Sequence, residues 1–151
     1  MDAEQGGQVR VVQSPLRKLS HLLKARSNVQ TSLPQEHSDT EGQITRLEKV
    51  FEMHGVEAKG VDCPAIDGIL KEASEVAGDI DDKQVLDAAL IAAAQAVEHY
   101  EITRYGTLIA WAKMLGRDDC ASVLQQNLDE EKATDEKLNT MALRSVNRKA
   151  T

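Results

Sequence analysis

The chain has 151 residues, a formal net charge of −7 and only 3% aromatic residues, which is enough length for one domain with a single core. Its acidic balance, with a pI near 5.1, argues against a nucleic-acid partner, and no apolar run reaches the roughly 18 residues that a membrane span needs. The abundance of helix formers and the scarcity of strand formers predict an all-α protein. Cys63 and Cys120 have neither disulfide-framework nor zinc-site spacing, so we expect a reduced, cytoplasmic protein.

The N-terminal residues differ in composition from the rest of the chain. Residues 5–34 contain five Lys or Arg and no Asp or Glu, and apart from a short amphipathic stretch after Pro15 they show no periodic apolar face. The remainder of the sequence is consistently helical in pattern. We therefore expect three parts, which are an atypical N-terminal segment over 1–34, a helical bundle over 35–143 and a flexible basic tail over 144–151.

Four helices are predicted within the bundle region. The first spans residues 35–54 and stops at Gly55. A short one begins at Pro64, a residue suited to the first turn of a helix, and is closed by Gly78-Asp79. A long helix then runs to Leu115, and a last helix follows it to the end of the bundle region. The capping residues expected for these two helices are Asp81 or Asp82, Gly116 and Asp118.

Acidic residues interrupt the apolar faces of the two longest helices. Glu101 falls where the long helix otherwise places apolar residues, with Glu98 beside it one turn earlier, and Glu131 and Asp135 interrupt the last helix in the same way. The two stripes read Leu86, Leu90, Ala94, Val97, Glu101, Leu108, Leu115 and Ala121, Leu124, Leu128, Glu131, Asp135, Leu138, Ala142.

A third helix offers metal-ligand side chains in a similar position. Extending the apolar stripe of the helix over 35–54 backwards reaches Glu41 and then His37. An acid on a buried stripe costs several kcal/mol unless it is paired or bound to metal, and carboxylates with an imidazole suit iron or manganese better than structural zinc. The repeated acids therefore predict a bundle that holds metal ions, with carboxylates able to bridge two of them.

The same acids have a plainer interpretation. Glu and Asp residues three or four apart commonly form a solvated helix face, and Glu130 beside Lys132 looks like an ordinary surface pair. His99 points about 100° away from Glu98 on the helix. We therefore interpret it as a residue that contacts the metal ligands and not the metal, or as a surface residue. Tyr105 lies one turn beyond Glu101 on the same face and would place a phenol near the site.

Three stretches of these helices carry a family resemblance. They are Asp87-Ala-Ala-Leu-Ile-Ala-Ala-Ala-Gln-Ala-Val-Glu-His-Tyr-Glu-Ile, Leu128-Asp-Glu-Glu-Lys-Ala-Thr-Asp-Glu-Lys-Leu and, after His37, Thr40-Glu-Gly-Gln-Ile-Thr-Arg-Leu-Glu-Lys-Val-Phe-Glu. Over about residues 35–143 the chain resembles the YciE/YciF family of bacterial ferritin-like proteins.

The resemblance implies a ferritin-like four-helix bundle with an extra short helix, a homodimer, a dinuclear metal centre and an association with stress responses. The metal ligands that it implies are His37, Glu41, Glu98, Glu101, Glu131 and Asp135. The N-terminus departs from the family, because only residues 1–5 are similar to the family's first helix, with Glu4 as its ligand. The first helix is thus atypical or incomplete, and residues 6–34 are either strongly diverged or translated out of frame.

Two function hypotheses follow. The leading one is a ferritin-like protein with a carboxylate- and histidine-ligated iron or manganese site and a role in stress response and O₂ or peroxide chemistry. The alternative is a stress-induced helical scaffold that dimerises without bound metal, its buried acids protonated or paired with a residue such as Arg46 or Arg104. A two-metal hydrolase ranks lowest, since no nucleophile motif or Gly-rich phosphate loop is present. The substrate, and whether the protein is an enzyme, stay open.

Overall fold

The computed structural model describes the backbone of residues 11–12 and 36–150 and the side chains of residues 41–144 and 146–150. Its main helices are α1 (Glu36–Met53), α2 (Pro64–Asp79), α3 (Lys83–Met114) and α4 (Asp118–Met141). Two-residue strands, β1 (Val11–Val12) and β2 (Gly60–Val61), pair in parallel with Val11 opposite Gly60. The predicted all-α class is confirmed. The predictions for Glu4 and for the first helix fall outside the described residues.

Local sequence signals set most of the helix boundaries. Gly55 and Gly116 follow α1 and α3 with φ angles of +68° and +69°, a left-handed conformation that closes a helix and that glycine adopts without steric cost. Pro64 is the first residue of α2. The side chain of Asp82 caps α3 by accepting a hydrogen bond from the backbone N–H of Gln84 at 2.8 Å. These predicted boundaries are confirmed.

The prediction that Asp118 caps α4 is wrong. Asp118 is the first helical residue, and Arg117 occupies the N-cap position without a side-chain cap. The Arg117 guanidinium instead pairs with Asp119 at 3.0 Å and donates to the backbone carbonyl of Met53 at 2.9 Å. This pairing holds the pKa of Asp119 at about 2. Arg117 therefore connects the start of α4 to the end of α1.

The pair formed by α3 and α4 is the centre of the molecule, because these two helices share the largest helix–helix contact. The three-residue connection between them, 115–117, makes them antiparallel neighbours. α1 packs on α4, and α2 packs on α3. Side chains placed on the facing stripes of α3 and α4 are consequently the most deeply enclosed.

Two apolar clusters fill the interior. One joins α2 to the first half of α3 and the end of α4, with Leu90 and Leu138 at its centre. The other joins α1 to the second half of α3 and the first half of α4, and includes Ile109 and Leu124. Along both α3 and α4, the buried acids occupy the interval between these two clusters.

One part of the predicted α3 stripe is wrong. Leu108 is only half-buried and Leu115 is 73% exposed, whereas Tyr105, Ile109 and Ala112 are the buried residues of this half of the helix. The stripe was extended from Glu101 in steps of seven, and seven residues fall about 20° short of two full helical turns. In addition, Leu115 is the C-cap residue, beyond the last helical residue Met114, so it does not lie on the helix face that packs against the core.

The end of the chain is helical over the described residues. α4 passes through a π-helical turn, Ala142–Val146, into the short helix α5 (Asn147–Lys149), and both segments contact α3. The predicted bundle boundary at residue 143 thus falls inside the π-helical turn. Among the helices of the described part of the chain, none combines the length and apolarity required to cross a membrane.

Candidate metal centre

Three glutamates converge between α3 and α4. Glu98 and Glu101 lie three residues apart on α3, which places them on one helix face, and Glu131 faces them from α4. One carboxylate oxygen from each lies within 4.8 Å of the other two. Glu98 and Glu131 are 0% and 1% exposed. We refer to Glu98, Glu101 and Glu131 as the carboxylate group.

The electrostatic state of Glu101 reflects this crowding. Burial raises the pKa of its carboxyl well above the ordinary value, and the nearby charge of Glu131 raises it further. Its Oε2 is enclosed and has no hydrogen-bond partner among the described residues. A bound proton or a bound cation would each relieve the repulsion, so the position is suited to positive charge.

A second polar group adjoins the first and is organised around Asn127, which is 0% exposed. Asn127 Nδ2 donates to the hydroxyl oxygen of Tyr105 at 3.1 Å and to the carbonyl of Gln43 at 3.3 Å. Arg46 donates from Nε to Asn127 Oδ1 and forms an ion pair with Glu130. We refer to Arg46, Tyr105, Asn127 and Glu130 as the arginine network.

Tyr105 connects the two groups. Burial raises the pKa of its phenol, and the negative charge of Glu101 raises it further, against the opposing effect of the hydrogen bond from Asn127. The phenol is therefore neutral at physiological pH. It interacts electrostatically with Glu101 and Glu131 on one side and with Arg46 on the other, and the charge of Arg46 is engaged by Glu130.

Asp135 lies one turn beyond Glu131 on α4 and has different neighbours. Its Oδ1 accepts a hydrogen bond from Gln95 Nε2 at 3.2 Å and lies 3.3 Å from His99 Nε2. The side chain of Asp135 is 22% exposed and that of His99 is 68% exposed. This pair therefore occupies the solvent side of the α3–α4 contact.

The structure brings together three of the seven residues predicted as ligands. Glu98, Glu101 and Glu131 form the carboxylate group, and Asp135 and Glu41 are not part of it, Glu41 being exposed on α1. His37 belongs to α1, but its side chain lies outside the described residues, as does the whole of Glu4. Metal ligation by these residues stays a prediction.

Sequence reasoning missed the centre of the arginine network. It named Arg46 as a possible partner of a buried acid but overlooked Asn127, which lies four residues before Glu131 and therefore on the same face of α4. The Asn127 amide on that face could have indicated a second polar group beside the carboxylates. Arg104, the other cation considered, instead lies with its guanidinium carbon 4.8 Å from the ring centre of Tyr100.

Cys63 also has a defined environment that the sequence did not indicate. Its Sγ lies 3.0 Å from the hydroxyl of Tyr100. Burial raises the pKa of the thiol, but hydrogen bonds from Tyr100 and from the first backbone N–H groups of α2 outweigh that effect, so the pKa is lowered overall.

The fold and the site define an all-α bundle with a largely buried carboxylate group between its two central helices. A family model described as "Domain of unknown function (DUF892)" matches residues 12–151. Protein YciF of Escherichia coli (strain K12) is 44% identical over 137 residues, which are 89% of this chain and 82% of YciF. The chain belongs to the DUF892 family, and the predicted resemblance to YciE/YciF proteins is confirmed.

Two solved structures share the fold. The E. coli stress protein YciF matches with a TM-score of 0.79 and 43% identity, covering 88% of this chain and 86% of YciF. YcfI from Rhodopseudomonas palustris, described as a suggested structural protein, matches with a TM-score of 0.78 and 52% identity, covering 83% of this chain and 82% of YcfI. The predicted fold class, a ferritin-like helical bundle, is confirmed.

Proposed function

We propose that this protein binds iron or manganese at the carboxylate group of Glu98, Glu101 and Glu131. The observation that carries the proposal is the convergence within 4.8 Å of oxygens from three carboxylates, of which Glu98 and Glu131 are buried and Glu101 is half-buried. Like charges in one enclosed space destabilise the fold unless protons or cations balance them. The enclosed Oε2 of Glu101, without a hydrogen-bond partner among the described residues, is available as a ligand atom.

The donor set fits the proposed metals. Carboxylate oxygens suit manganese and ferrous iron, whereas structural zinc is typically held by sulfur and imidazole. When bound, such an ion supplies one-electron redox chemistry toward O₂ or peroxide. The residues of the chain would hold the ion, exclude bulk water by the burial of Glu98 and Glu131, and keep the Tyr105 phenol protonated beside it.

A dinuclear centre is the extended form of this proposal. The carboxylate group provides ligands for one ion, and a second ion needs further donors, for which the sequence offers His37, Glu41, Glu4 and Asp135. A role in the stress response comes from the similarity to the E. coli stress protein YciF. Both points are part of the proposal and depend on metal being present.

Metal content tests the proposal directly. Protein purified without an affinity tag should contain about one iron or manganese per chain for a mononuclear centre and about two for a dinuclear one, measured by mass spectrometry. Glu131→Gln should lose the metal, and Glu136→Gln, which changes an exposed residue of the same helix, should keep it. A folded wild-type protein that binds neither metal on refilling would contradict the proposal.

A second candidate function, a helical scaffold without metal, is favoured by a different observation. Trp111, Met114 and Leu115 are 58%, 84% and 73% exposed at the end of α3, and clustered exposed apolar side chains mark interaction surfaces. The similarity to YcfI, a suggested structural protein, also supports it. In this case the protein would be a homodimer whose carboxylate group is held neutral by protons.

Stability measurements separate the two candidates. Unfolding that shifts when a chelator is added supports the metal centre, because a ligand that binds only the folded state stabilises it. Unfolding that ignores the chelator but depends on protein concentration supports the scaffold. The paired variant Met114→Gln/Leu115→Gln should then lower the oligomeric mass found by light scattering, with Lys113→Gln as the control.

A further inference from the structure

Glu98 and Glu131 of the carboxylate group are buried and Glu101 is half-buried, and a set of polar side chains reaches the solvent from the adjoining turn of the α3–α4 contact. We propose that Gln95, His99 and Asp135 form the entry site through which a hydrated divalent cation reaches Glu131 and Glu98. The inference rests on the proposed metal centre and adds to it the route of loading and release. We refer to these three residues as the entry group.

Side-chain exposure falls stepwise along this route. His99 is 68% exposed and Asp135 is 22% exposed, while Glu131 and Glu98 are 1% and 0% exposed. The steps are short, because Asp135 is four residues from Glu131 on α4, and His99 follows Glu98 directly on α3. Four residues of an α-helix rise about 6 Å, so Asp135 and Glu131 lie about one turn apart on the same face of α4.

The polar side chains on the Tyr105 side of the carboxylate group are engaged with one another. Tyr105 and Asn127 are 7% and 0% exposed and share a hydrogen bond. The Arg46 guanidinium is bonded to Asn127 and paired with Glu130, so its charge is balanced there. At the other end, the negative charge of Asp135 attracts an incoming cation.

The contacts of Asp135 suit a transient cation site. The hydrogen bond from Gln95 and the contact with His99 both involve Oδ1, which fixes the carboxylate across the α3–α4 contact. A carboxylate has about four lone-pair positions on its two oxygens, so Asp135 retains the capacity to bind a cation that still carries water. The exposed imidazole of His99 adds a nitrogen donor at the solvent end.

Loading kinetics of the chelator-stripped full-length protein test the inference. Stopped-flow absorbance would follow the binding of Co²⁺, a divalent stand-in for iron and manganese, at low ionic strength. Asp135→Asn keeps the shape and the acceptor oxygen but removes the charge, and we expect it to slow loading about 10-fold, within the range by which charged clefts raise association rates. Chelator-driven release is measured in parallel, because an entry residue changes loading and release together, whereas the loss of a metal ligand lowers the affinity and speeds release.

The chain contains a matched control. Asp129 is an exposed residue of α4 whose Oδ1 accepts a hydrogen bond from Gln125 at 2.8 Å, as Asp135 does from Gln95. Asp129→Asn removes the same charge from the same helix without altering the route, so its loading rate should match the wild type. His99→Ala should slow loading by a smaller factor than Asp135→Asn.

Three results would overturn the inference. Equal loading rates for Asp135→Asn and Asp129→Asn would remove the entry role while leaving the metal centre intact. A lower metal count or a large loss of affinity in Asp135→Asn would make Asp135 a ligand rather than an entry residue. Wild-type protein that takes up no Co²⁺, iron or manganese would overturn the proposed metal centre itself, and the entry site with it.

Discussion

Two polar groups lie side by side at the α3–α4 contact, and they differ in how their charges are balanced. In the arginine network, the Arg46 guanidinium is matched by Glu130, and Asn127 satisfies its amide with three partners. In the carboxylate group, three acids share one space, and the pKa of Glu101 is raised by burial and by Glu131. The first arrangement supports the fold, whereas the second costs stability that protons or a cation would restore.

The difference is sharpest between two consecutive residues. Glu130 is paired with Arg46 and has a side chain that is 33% exposed, whereas Glu131 is 1% exposed and faces Glu98 and Glu101. One residue along a helix turns the side chain by about 100°. That rotation is enough to separate an acid that stabilises the bundle from one that is available for function.

Removing the centre of the arginine network should produce the largest loss of stability. Asn127→Leu keeps the side-chain volume but leaves the Arg46 Nε–H and the Tyr105 hydroxyl without their buried partner. We expect the free energy of unfolding to fall by about 3 kcal/mol, measured by urea denaturation, with no change in metal content. The control Gln126→Leu changes an exposed neighbour and should stay within about 0.5 kcal/mol. A loss below about 1 kcal/mol would mean that the network does not stabilise the fold.

A substitution that removes a charge from the carboxylate group should instead raise the free energy of unfolding of the metal-free protein. The folded-state pKa of Glu101 is raised above its ordinary value of 4.5, so the folded protein holds a proton that the unfolded chain releases. The stability that the protonated Glu101 carboxyl contributes to the metal-free protein is therefore complete below about pH 4.5, and it is lost as the pH rises through the folded-state pKa. Glu101→Gln is neutral at every pH, and at pH 8 the metal-free variant should be about 1–2 kcal/mol more stable than the wild type.

That prediction is checked by urea unfolding in the presence of chelator between pH 5 and pH 8. The difference in free energy between Glu101→Gln and the wild type should grow as the pH rises, while Glu136→Gln, an exposed change, should show no such trend. The variant should also lose the metal. A constant difference across the pH range would mean that Glu101 is ionised in the fold throughout.

The sequence predicted the fold well because its signals are local. Gly55, Gly116 and Pro64 act on their own helix ends, and Leu128, Glu131 and Leu138 of the predicted α4 stripe are buried, whereas the side chain of Asp135 is 22% exposed. The α3 stripe was correct as far as Glu101 and then failed at Leu115, because the helix ends at Met114 and Leu115 is its C-cap residue.

The site was predicted only in part because its remaining features are not local. Arg46 and Asn127 are 81 residues apart in the chain, and no periodicity connects them. Whether an acid such as Glu130 or Glu131 meets a cation or other acids depends on the rotation of one helix against another. Periodicity identified the faces of α3 and α4, and packing decided which residues meet on them.

Tyr105 tests whether the two groups act independently. Tyr105→Phe removes the hydroxyl oxygen that accepts a hydrogen bond from Asn127 but keeps the buried ring. We expect a loss of about 1 kcal/mol in the free energy of unfolding, found by urea denaturation, and an unchanged metal count. Loss of metal from this variant would mean that the phenol belongs to the carboxylate group as well as to the arginine network.

The smallest expected effect lies at the next residue, Gly106, in the middle of α3. A Cβ at this position meets nothing within 4 Å, and the same is true of Gly68 in α2. Glycine destabilises a helix interior relative to alanine, so Gly106→Ala and Gly68→Ala should each raise the free energy of unfolding by about 0.5 kcal/mol, measured by thermal and urea unfolding. Neither should change the metal count, because neither alters a side chain of the two polar groups. A gain for Gly68→Ala with a loss for Gly106→Ala would mean that a second surface packs against α3 beside Tyr105, as the homodimer proposal allows.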